Sequence, residues 1–350
     1  MINIRVLKAG QGDCIILTYG NENKTNHIII DGGMGKECFR QLCDFINDVN
    51  KNNEIIELLI LTHFDNDHID GFIKILEDKS IDSSVIKKIW FNYGAELSEY
   101  IKAQKRLQLF VGELSKLTSK EQGKDFYEKI QINHIELNPI IKSLDVYEIC
   151  GAKITILSPS IDQLKVLVNE IGSDIGKAST IEHNELSKLT AASKSDYLMR
   201  VNELDLKGYS EQGVSVANKS SIAFLFEYEA KTLLFLGDAV SSQIVSALSN
   251  LGYSKENPLK LDCCKISHHG SSHNTSLELL ELLDCENYII SSNWTHNRPS
   301  KTCLSRIVVS NAYKPANLYF NYTYKDIFTI EEKQQYNISL NVLSDSGIDL

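Results

Sequence analysis

The sequence has 350 residues, of which 43% are apolar and 23% are charged, as in ordinary globular proteins. Its 19 glycine and 5 proline residues are too few for a fibrous or low-complexity chain. The net charge of −10, from 36 basic and 46 acidic side chains, argues against a protein that coats nucleic acid, because phosphate binding needs clustered cations.

The first part of the chain alternates apolar strands with helices. The predicted elements, in chain order, are a hairpin of strands at 2–6 and 14–17, a strand at 27–30, a helix at 36–49, a strand at 54–61, a helix at about 70–77 and a strand at 85–91. The strand pattern then returns, with strands predicted at 151–157, 221–228, 231–236, 261–266 and 288–291.

Two polar stretches, at approximately 95–145 and 161–213, lack this alternation and are helical in pattern. One interpretation makes them helical insertions on a single domain that spans residues 1–350. The other makes them helices that simply cover a sheet. In both cases they are candidates to shape substrate access, or to dock a protein partner.

The sequence also indicates where in the cell the protein is expected. No run approaches the roughly 18 apolar residues that a membrane-crossing helix needs. Residues 1–20 alternate like a strand and do not resemble a secretory signal. We therefore expect a cytoplasmic protein with no membrane contact. Its eight cysteines, including Cys263 and Cys264 in a predicted strand, should be reduced packing groups.

Metal-binding residue types collect at the ends of the predicted strands. Asp31 follows the strand at 27–30, and the run from His63 to His68 follows the next buried strand. Asp238 and His268 follow strands late in the chain. Ligands bind at this edge in open α/β sheets, so the sequence predicts a site there.

The first cluster is the strongest signal, because His63, Asp65, Asp67 and His68 offer four potential ligands within six residues. Imidazole and carboxylate together suit zinc, manganese or iron. The alternative is a polar loop in which Asp67 or Asp70 caps the following helix. A cap needs neither two histidines nor three aspartates, so we interpret the cluster as a metal site.

The later residues add to this hypothesis. Asp238 alone would be a weak indication, because aspartate is common in the turn after a strand. The adjacent His268 and His269 are stronger, since they suggest one metal ligand and one neighbour that orients a ligand or transfers a proton. We prefer His268 as the ligand, because it comes first after the strand.

In this order the residues resemble those of the metallo-β-lactamase superfamily, and most closely the hydrolase domain of ComEC-type competence proteins and their soluble relatives. The matching motifs are Ala9-Gly10-Gln11-Gly12-Asp13, Ile29-Ile30-Asp31-Gly32-Gly33, Thr62 to Gly71, Asn218-Lys219-Ser220-Ser221, Leu236-Gly237-Asp238 and Lys265 to Ser271. They run through most of the chain outside the two polar stretches.

The resemblance implies a four-layer αββα sandwich, an α/β (α+β) fold with helical insertions, and a binuclear metal site at one edge. The ligands that it implies are His63 and Asp65 for one metal ion, Asp67, His68 and His268 for the second, and Asp238 as a bridge between them. Two divalent ions are implied, with Zn²⁺ preferred and Mn²⁺ as the alternative. Asp31 would orient a ligand histidine.

The resemblance also implies a hydrolase in which a metal-bridged hydroxide attacks a phosphodiester of a nucleic acid or nucleotide. Asp67, His269 and His296 are the implied catalytic residues. Of the neighbouring polar groups, His269, Ser271 or His296 would contact an anionic substrate oxygen or protonate the leaving group.

A positive rim is one way to attract a nucleic acid to an acidic chain. Lys87, Lys88 and the range 102–106 are candidates for it, and the competing interpretation is a solvated helix face.

Two other functions stay open at this point. The same site suits a hydrolase of a lactam, thioester or peptide bond, and the chain could also be a metal-binding regulatory subunit. The histidine of the family's third motif is absent here, with Asn218 nearby, so one metal site is expected to have fewer protein ligands. The family's late His-Pro pair is matched only loosely, by residues 296–299.

Overall fold

The computed structural model describes residues 1–21, 24–104, 119–172, 195–311 and 314–350. In these ranges the strands are β1 (Ile2–Val6), β2 (Ile15–Asn21), β3 (Lys24–Ile30), β4 (Ile56–Ile60), β5 (Lys88–Trp90), β6 (Glu136–Asn138), β7 (Val146–Ile149), β8 (Ala152–Ser158), β9 (Ala223–Tyr228), β10 (Lys231–Phe235), β11 (Leu259–Leu261), β12 (Cys263–Lys265), β13 (Leu283–Cys285), β14 (Asn287–Ile290), β15 (Ala316–Phe320), β16 (Ile338–Val342) and β17 (Ile348–Asp349).

The α-helices of the same ranges are α1 (Lys36–Lys51), α2 (Asn66–Glu77), α3 (Ala95–Gln104), α4 (Ser119–Ile132), α5 (Ile161–Gly172), α6 (Val216–Lys219), α7 (Ser241–Asn250), α8 (Leu277–Leu280), α9 (Lys301–Ser310) and α10 (Ile330–Gln335). None of these helices is both long enough and apolar enough to span a bilayer.

Two mixed sheets contain most of the strands. The first has the order β17-β1-β2-β3-β4-β5-β6, and the second has the order β16-β15-β14-β12-β10-β9-β8-β7. The strands from β3 to β6 run parallel in the first sheet, and those from β10 to β16 run parallel in the second. β11 and β13 form a separate parallel pair. Parallel neighbours end at the same edge, so each sheet brings several strand ends together.

Three apolar cores separate the layers. The central core lies between the sheets, where Ile28 of β3 and Phe224 of β9 belong to one buried cluster. Ile29, the next residue of β3, points the other way and packs with α1, α2 and α4. The opposite face of the second sheet packs against α7, α8 and α9. The order helix, sheet, sheet, helix confirms the predicted four-layer αββα sandwich.

The predicted strands are present, with shifts at their ends, and the predicted strand at 261–266 differs most. It is interrupted at Asp262, whose carboxylate accepts a hydrogen bond from the backbone of Thr232 at 2.9 Å and separates β11 from β12. β7, β13, β15, β16 and β17 were not predicted. Of these, β13 and β17 have only three and two residues, and β16 is only half-buried along most of its length.

The polar stretches contain helices that cover the first sheet. In the range 95–145, α4 packs on α2 through stacked rings of Phe126 and Phe72. This range is not purely helical, because β6 forms an edge of the first sheet. In the range 161–213, α5 contributes Leu164 and Leu167 to the same core. Residues 105–118 and 173–194 of these predictions lie outside the described residues.

The cysteines are packing groups, as expected. All eight are free thiols and six of them are buried. Cys263 and Cys264 lie in β12, and burial raises the pKa of both thiols well above the usual range. A neutral, buried thiol is unreactive, which fits a packing role.

Candidate metal centre

The predicted site residues meet where strands of both sheets end. Asp31 follows β3 and His63 lies just beyond β4, while Asp238 follows β10 and His268 follows β12. The two loops of the second sheet are joined directly, because the backbone N–H of His268 donates to the carbonyl of Gly237 at 3.0 Å. The cluster therefore lies at the shared edge of the two sheets.

The helix after the first cluster begins earlier than predicted. α2 starts at Asn66, so Asp67 and His68 lie on its first turn. Asp65 occupies the N-cap position, but its side chain makes no capping hydrogen bond. Its Oδ2 atom lies instead 3.7 Å from Nε2 of His63. Capping by Asp67 or Asp70 therefore does not explain this cluster.

Glycines let the neighbouring loops pack against this first turn. A Cβ atom on Gly12 would overlap the carbonyl oxygen of Asp67, and one on Gly71 would overlap the carbonyl oxygen of Gly32. Only glycine permits such approaches without a shift of the backbone. The glycine motifs of the sequence thus hold the start of α2 in position.

Asp31 and Thr62 fix the two histidines of the first cluster. Nδ1 of His68 donates to Oδ2 of Asp31 at 2.7 Å, and the Thr62 hydroxyl donates to the same oxygen at 2.8 Å. Because that hydroxyl has one hydrogen, it accepts from Nδ1 of His63 at 3.0 Å. Both rings therefore present Nε2 to the site, and Asp31 orients a histidine as the resemblance implies.

His268 and His269 are oriented in the same way. Nδ1 of His268 lies 2.7 Å from Oδ1 of Asn274, and Nδ1 of His269 lies 3.0 Å from the carbonyl oxygen of Ser291. The amide nitrogen of Asn274 donates to the carbonyl of Asp238 at 2.8 Å, which identifies its oxygen as the atom facing His268. Both oxygens only accept, so each Nδ1 carries a hydrogen, and the neutral form of each ring has its free lone pair on Nε2.

The four Nε2 atoms converge on one carboxylate. Those of His63, His68 and His268 lie 3.8, 3.6 and 3.5 Å from Oδ2 of Asp238. That of His269 lies 3.9 Å from Oδ1. Three of these nitrogens, in His63, His68 and His269, are buried without a hydrogen-bond partner, as is Oδ1 of Asp238. Buried polar atoms normally have partners, and this donor set fits a metal cation as the missing partner.

Ligand atoms within 4.8 Å of one another form two groups that face the site, one of His63, His68 and Asp238 and the other of Asp67, His68 and His269. A third group, of Asp13, Asp31 and His68, lies behind them, where Asp31 is already hydrogen-bonded. His269 joins Asp67 and His68, whereas the sequence-based preference was His268.

The charges of the acidic groups indicate that a cation would be stabilised here. Burial, together with the charge of Asp67, raises the pKa of Asp65 to about 7. Burial alone would lower the pKa of His68, but Asp238 and Asp31 outweigh it and raise that pKa well above its usual range. A divalent cation would relieve this concentration of negative charge.

Two of the other imidazoles are neutral, which is the form that binds metal. Burial and the charge of His68 lower the pKa of His63 well below its usual range. Burial lowers the pKa of His268 to about 4, although Asp238 acts in the opposite direction. His63 and His268 therefore offer lone pairs rather than protons to the site.

A cavity of about 450 Å³ opens beside the cluster. Among the described residues, those that line it include four of the predicted ligands, Asp65, Asp67, Asp238 and His268. Ser271, a predicted substrate contact, also lines the cavity.

Two of the predicted catalytic residues are placed differently from the expectation. His269 is 1% exposed and lies behind the cavity wall among the ligand groups. His296 is exposed and is not among the described residues that line the cavity. The geometry therefore favours a ligand role for His269 and gives His296 no contact with the site.

Arg298 lines the cavity and was not predicted from the sequence. Its loop packs on the loop of the histidine pair, because the backbone N–H of Ser300 donates to the carbonyl of Gly270 at 3.0 Å. The charge of Arg298 also contributes to the low pKa of His268, after burial. The available signal was Pro299 of the late motif, which directly follows Arg298 and not His296.

A buried ion pair supports the histidine pair from behind. Asp13, of the first glycine motif, pairs with Lys265, and both side chains are 1% exposed. The other carboxylate oxygen of Asp13 lies 3.4 Å from Nδ1 of His269. Both residues lie in sequence motifs, and no role was predicted for either of them.

No family model matches the chain, and no curated protein matches it. Similar solved structures include the metallo-β-lactamase fold protein YhfI from Bacillus subtilis, with 10% identity and a TM-score of 0.39 over 99% of this chain and 98% of that one. The diiron β-hydroxylase CmlA from Streptomyces venezuelae has 9% identity and a TM-score of 0.41 over 97% of this chain and 52% of that one. Zinc-bound PqqB from Methylobacterium extorquens has 10% identity and a TM-score of 0.40 over 96% and 87%.

The fold can be assigned from the features of the chain itself. Two mixed sheets lie between layers of helices, and the motif residues stand at the ends of strands from both sheets. His63, His68, Asp238 and their neighbours then gather at the shared edge. These features are those that the motifs predict, and the chain therefore has a metallo-β-lactamase fold.

Proposed function

We propose that this chain is a metal-dependent hydrolase that cleaves phosphodiester bonds of a nucleic acid or nucleotide. The observation that carries the proposal is the convergence of four imidazole Nε2 atoms on the buried carboxylate of Asp238, at the wall of a cavity. Two divalent cations, Zn²⁺ or Mn²⁺, would supply Lewis-acid stabilisation and an activated water molecule when bound.

In this proposal, the residues of the chain bind the cations and orient the histidine rings that coordinate them. Asp238 lies between the donor groups and is the residue that both cations would share. Asp31 and Thr62 hold the rings of His63 and His68, so that their Nε2 atoms face the site before any metal binds. This preorganisation is the contribution that a protein makes to a metal site.

Arg298 favours a phosphodiester over an acyl substrate. Among the described residues that line the cavity, it is the one with a permanent positive charge. A guanidinium group can donate two parallel hydrogen bonds to two nonbridging oxygens of a phosphate. The carbonyl of a thioester or peptide has no such charge at the reacting centre, so the cavity wall suits phosphate better.

The predicted basic rim does not strengthen this argument. Lys87 donates to Glu57 at 2.8 Å, and Lys88 pairs with Glu136 at 2.7 Å. These pairs fit the interpretation of ordinary surface charges, and the range 102–106 lies only partly within the described residues. A protein partner on the polar stretches and a cytoplasmic location stay predictions.

Arg298→Gln tests the substrate class. We expect it to lower kcat/KM for a chromogenic phosphodiester by about 10- to 100-fold, since a lost charged hydrogen bond costs roughly 1.5–3 kcal/mol. Arg298→Lys should recover part of the loss, because it keeps the charge. The measurement is initial rates on a panel of diester, ester, thioester and lactam substrates with added zinc or manganese.

The controls separate substrate binding from metal loss. Metal per chain should be equal in wild type and Arg298→Gln, and His296→Ala in the same loop should leave the rates within about twofold of wild type. Cleavage of acyl substrates without cleavage of diesters would overturn the phosphodiester proposal. Turnover that appears only after a second protein is added would favour a regulatory subunit.

A further inference from the structure

Few groups on the described cavity wall can protonate the leaving group of a substrate. Two residues predicted for this task do not stand there, since His269 lies among the ligand groups and His296 is not one of the described residues that line the cavity. Ser271 does line it, but a hydroxyl group is too weak an acid near neutral pH. The imidazoles among the described lining residues are those of His268 and His273. Nε2 of His268 faces a carboxylate of the cluster, so His273 is the one that stays available.

His273 stands on this wall with one ring nitrogen fixed. Its Nδ1 atom lies 2.9 Å from the carbonyl oxygen of Ser210. A carbonyl oxygen only accepts, so Nδ1 keeps its hydrogen in both the neutral and the protonated ring. The ring therefore gains and loses a proton at Nε2. The residue is exposed, and among the described residues Nε2 has no hydrogen-bond partner.

The backbone around His273 is tied to the cluster. Its N–H donates to the hydroxyl of Ser271 at 3.2 Å. The amide of Asn274, the next residue, donates to the carbonyl of Asp238 at 2.8 Å, and its Oδ1 lies 2.7 Å from Nδ1 of His268. His273 is thus one residue away from a side chain that contacts both Asp238 and His268.

A buried arginine holds the two segments that meet at His273. Arg306 is 1% exposed, and its guanidinium group donates to four backbone carbonyls. These carbonyls are those of Ser272, Thr275, Leu206 and Gly208. The first two flank His273, and the last two precede Ser210. The backbone of His273 and the carbonyl that fixes its ring are therefore both attached to one rigid group, which orients the ring before a substrate binds.

Charged groups line both of the cavities that His273 borders. In the cavity of the cluster they are Asp65, Asp67, Asp238 and Arg298. A second cavity, of about 330 Å³, contains Asp205 and Arg306. Oδ1 of Asp205 accepts from the backbone N–H of Gly208 at 2.8 Å. Among the described residues none of these groups forms an ion pair with His273, so its ring is available to a substrate.

We propose that His273 is the general acid of the hydrolase, which protonates the leaving oxygen of the phosphodiester from Nε2. This inference rests on the proposed function and adds a catalytic residue to it. Ser210 and Arg306 hold the ring at the cavity wall, while the cluster around Asp238 serves the attacking side of the reaction.

The step adds one water molecule to the phosphodiester and involves no oxidation. The bond between phosphorus and the leaving oxygen breaks, and its electron pair stays on that oxygen. The proton on Nε2 of the protonated ring passes to the same oxygen, which departs as an alcohol and leaves His273 neutral. Water supplies the new oxygen on phosphorus and releases a proton to solvent, and His273 takes up its next proton from solvent.

Two thymidine phosphodiesters with different leaving groups test the assignment. Thymidine 5′-(p-nitrophenyl phosphate) releases nitrophenolate, a stable anion that needs no proton, whereas thymidylyl-thymidine releases a nucleoside alkoxide that needs one. In the full-length protein with zinc or manganese, His273→Ala should lower kcat for the dinucleotide by about 100-fold or more, because general acid catalysis contributes roughly 10²- to 10⁴-fold. The kcat for the nitrophenyl ester should stay within about threefold of wild type, since this substrate has no need of the acid.

Two further variants make the result specific. The side-chain amide of His273→Gln can still donate to the carbonyl of Ser210 but supplies no proton, so it should show the same selective loss as His273→Ala. His296→Ala is the matched control, because His296 is also exposed but is not among the described residues that line the cavity. Its rates on both substrates should stay within about twofold of wild type. Retained activity on the nitrophenyl ester shows that each variant folds and holds its metal.

The possible failures are distinguishable. An equal loss on both substrates, or no loss on the dinucleotide, would overturn the role of His273 and leave the proposed hydrolase intact. So would a wild type that cleaves the nitrophenyl ester but not the dinucleotide, because no acid would then serve the alkoxide. A wild type that cleaves neither phosphodiester would overturn the proposed function together with this inference.

Discussion

Asp238→Ala is expected to reduce phosphodiester hydrolysis by at least about 10³-fold at saturating metal, with the fold retained. The Asp238 carboxylate is 2% exposed and is approached by Nε2 atoms of four histidines. Its loss would remove the ligand that the proposed cations share, and Lewis-acid stabilisation of several kcal/mol corresponds to this loss in rate. The measurement is kcat, with circular dichroism as the check on folding.

Two variants control this result. Asp238→Asn keeps the size of the side chain but removes the charge, so it should also lose most of the activity. Asp70→Asn lies in the same motif as His68, but Asp70 pairs with Lys74 along α2, so its rate should stay within about twofold of wild type. An Asp238→Ala enzyme with more than a tenth of the wild-type rate would contradict the assignment.

Lys265→Met is expected to lower the free energy of unfolding by about 3–5 kcal/mol. Burial alone would raise the pKa of Asp13, but Lys265 and His269 outweigh it and hold that pKa well below its usual range. Asp13 is therefore a buried carboxylate with negative charge. Removing Lys265 leaves this charge without its main partner, directly behind His269.

Urea denaturation of the metal-free protein measures this loss. Lys231→Met is the matched control, because Lys231 pairs with Asp262 in a partly exposed position and should contribute less than about 1 kcal/mol. The double variant Asp13→Asn, Lys265→Met should recover part of the stability, since neither charge is then buried alone. A loss below about 1 kcal/mol in Lys265→Met would show that the pair contributes little.

Most of the fold was predictable because its signals are local. Several strands of both sheets are short apolar runs, such as β3, which ends directly before Asp31. The start of α2 was not predictable in this way, because residues 63–68 have the polarity of a loop. α2 begins at Asn66, where its residues Asp67 and Gly71 pack against Gly12 and Gly32. These contacts join residues that are distant in sequence, so no local pattern predicts them.

The site was predictable in composition but not in its pairings. Residue types identified His63, Asp67 and Asp238 as a group, since their strands end at one edge. Which of His268 and His269 joins Asp67 depends on two consecutive left-handed residues, and a rule of alternation along a strand does not extend to such a turn.

Arg298 illustrates the same limit. Residues 293–300 form a loop in which sequence chemistry favoured His296, yet the path of the chain presents Arg298 to the cavity. Contacts between loops, such as the hydrogen bond from Ser300 to Gly270, determine the course of this loop. Such contacts produce no periodic pattern in the sequence.

The metal content of the purified chain shows whether the histidine and aspartate cluster holds a cation. The protein is purified without chelator or added metal, and elemental analysis gives the ions per chain before and after incubation with zinc or manganese. We predict at least one ion per chain after incubation and a value approaching two at saturation, because two groups of donors converge on Asp238. A chain that retains no metal after incubation with either ion would contradict a metal-dependent function.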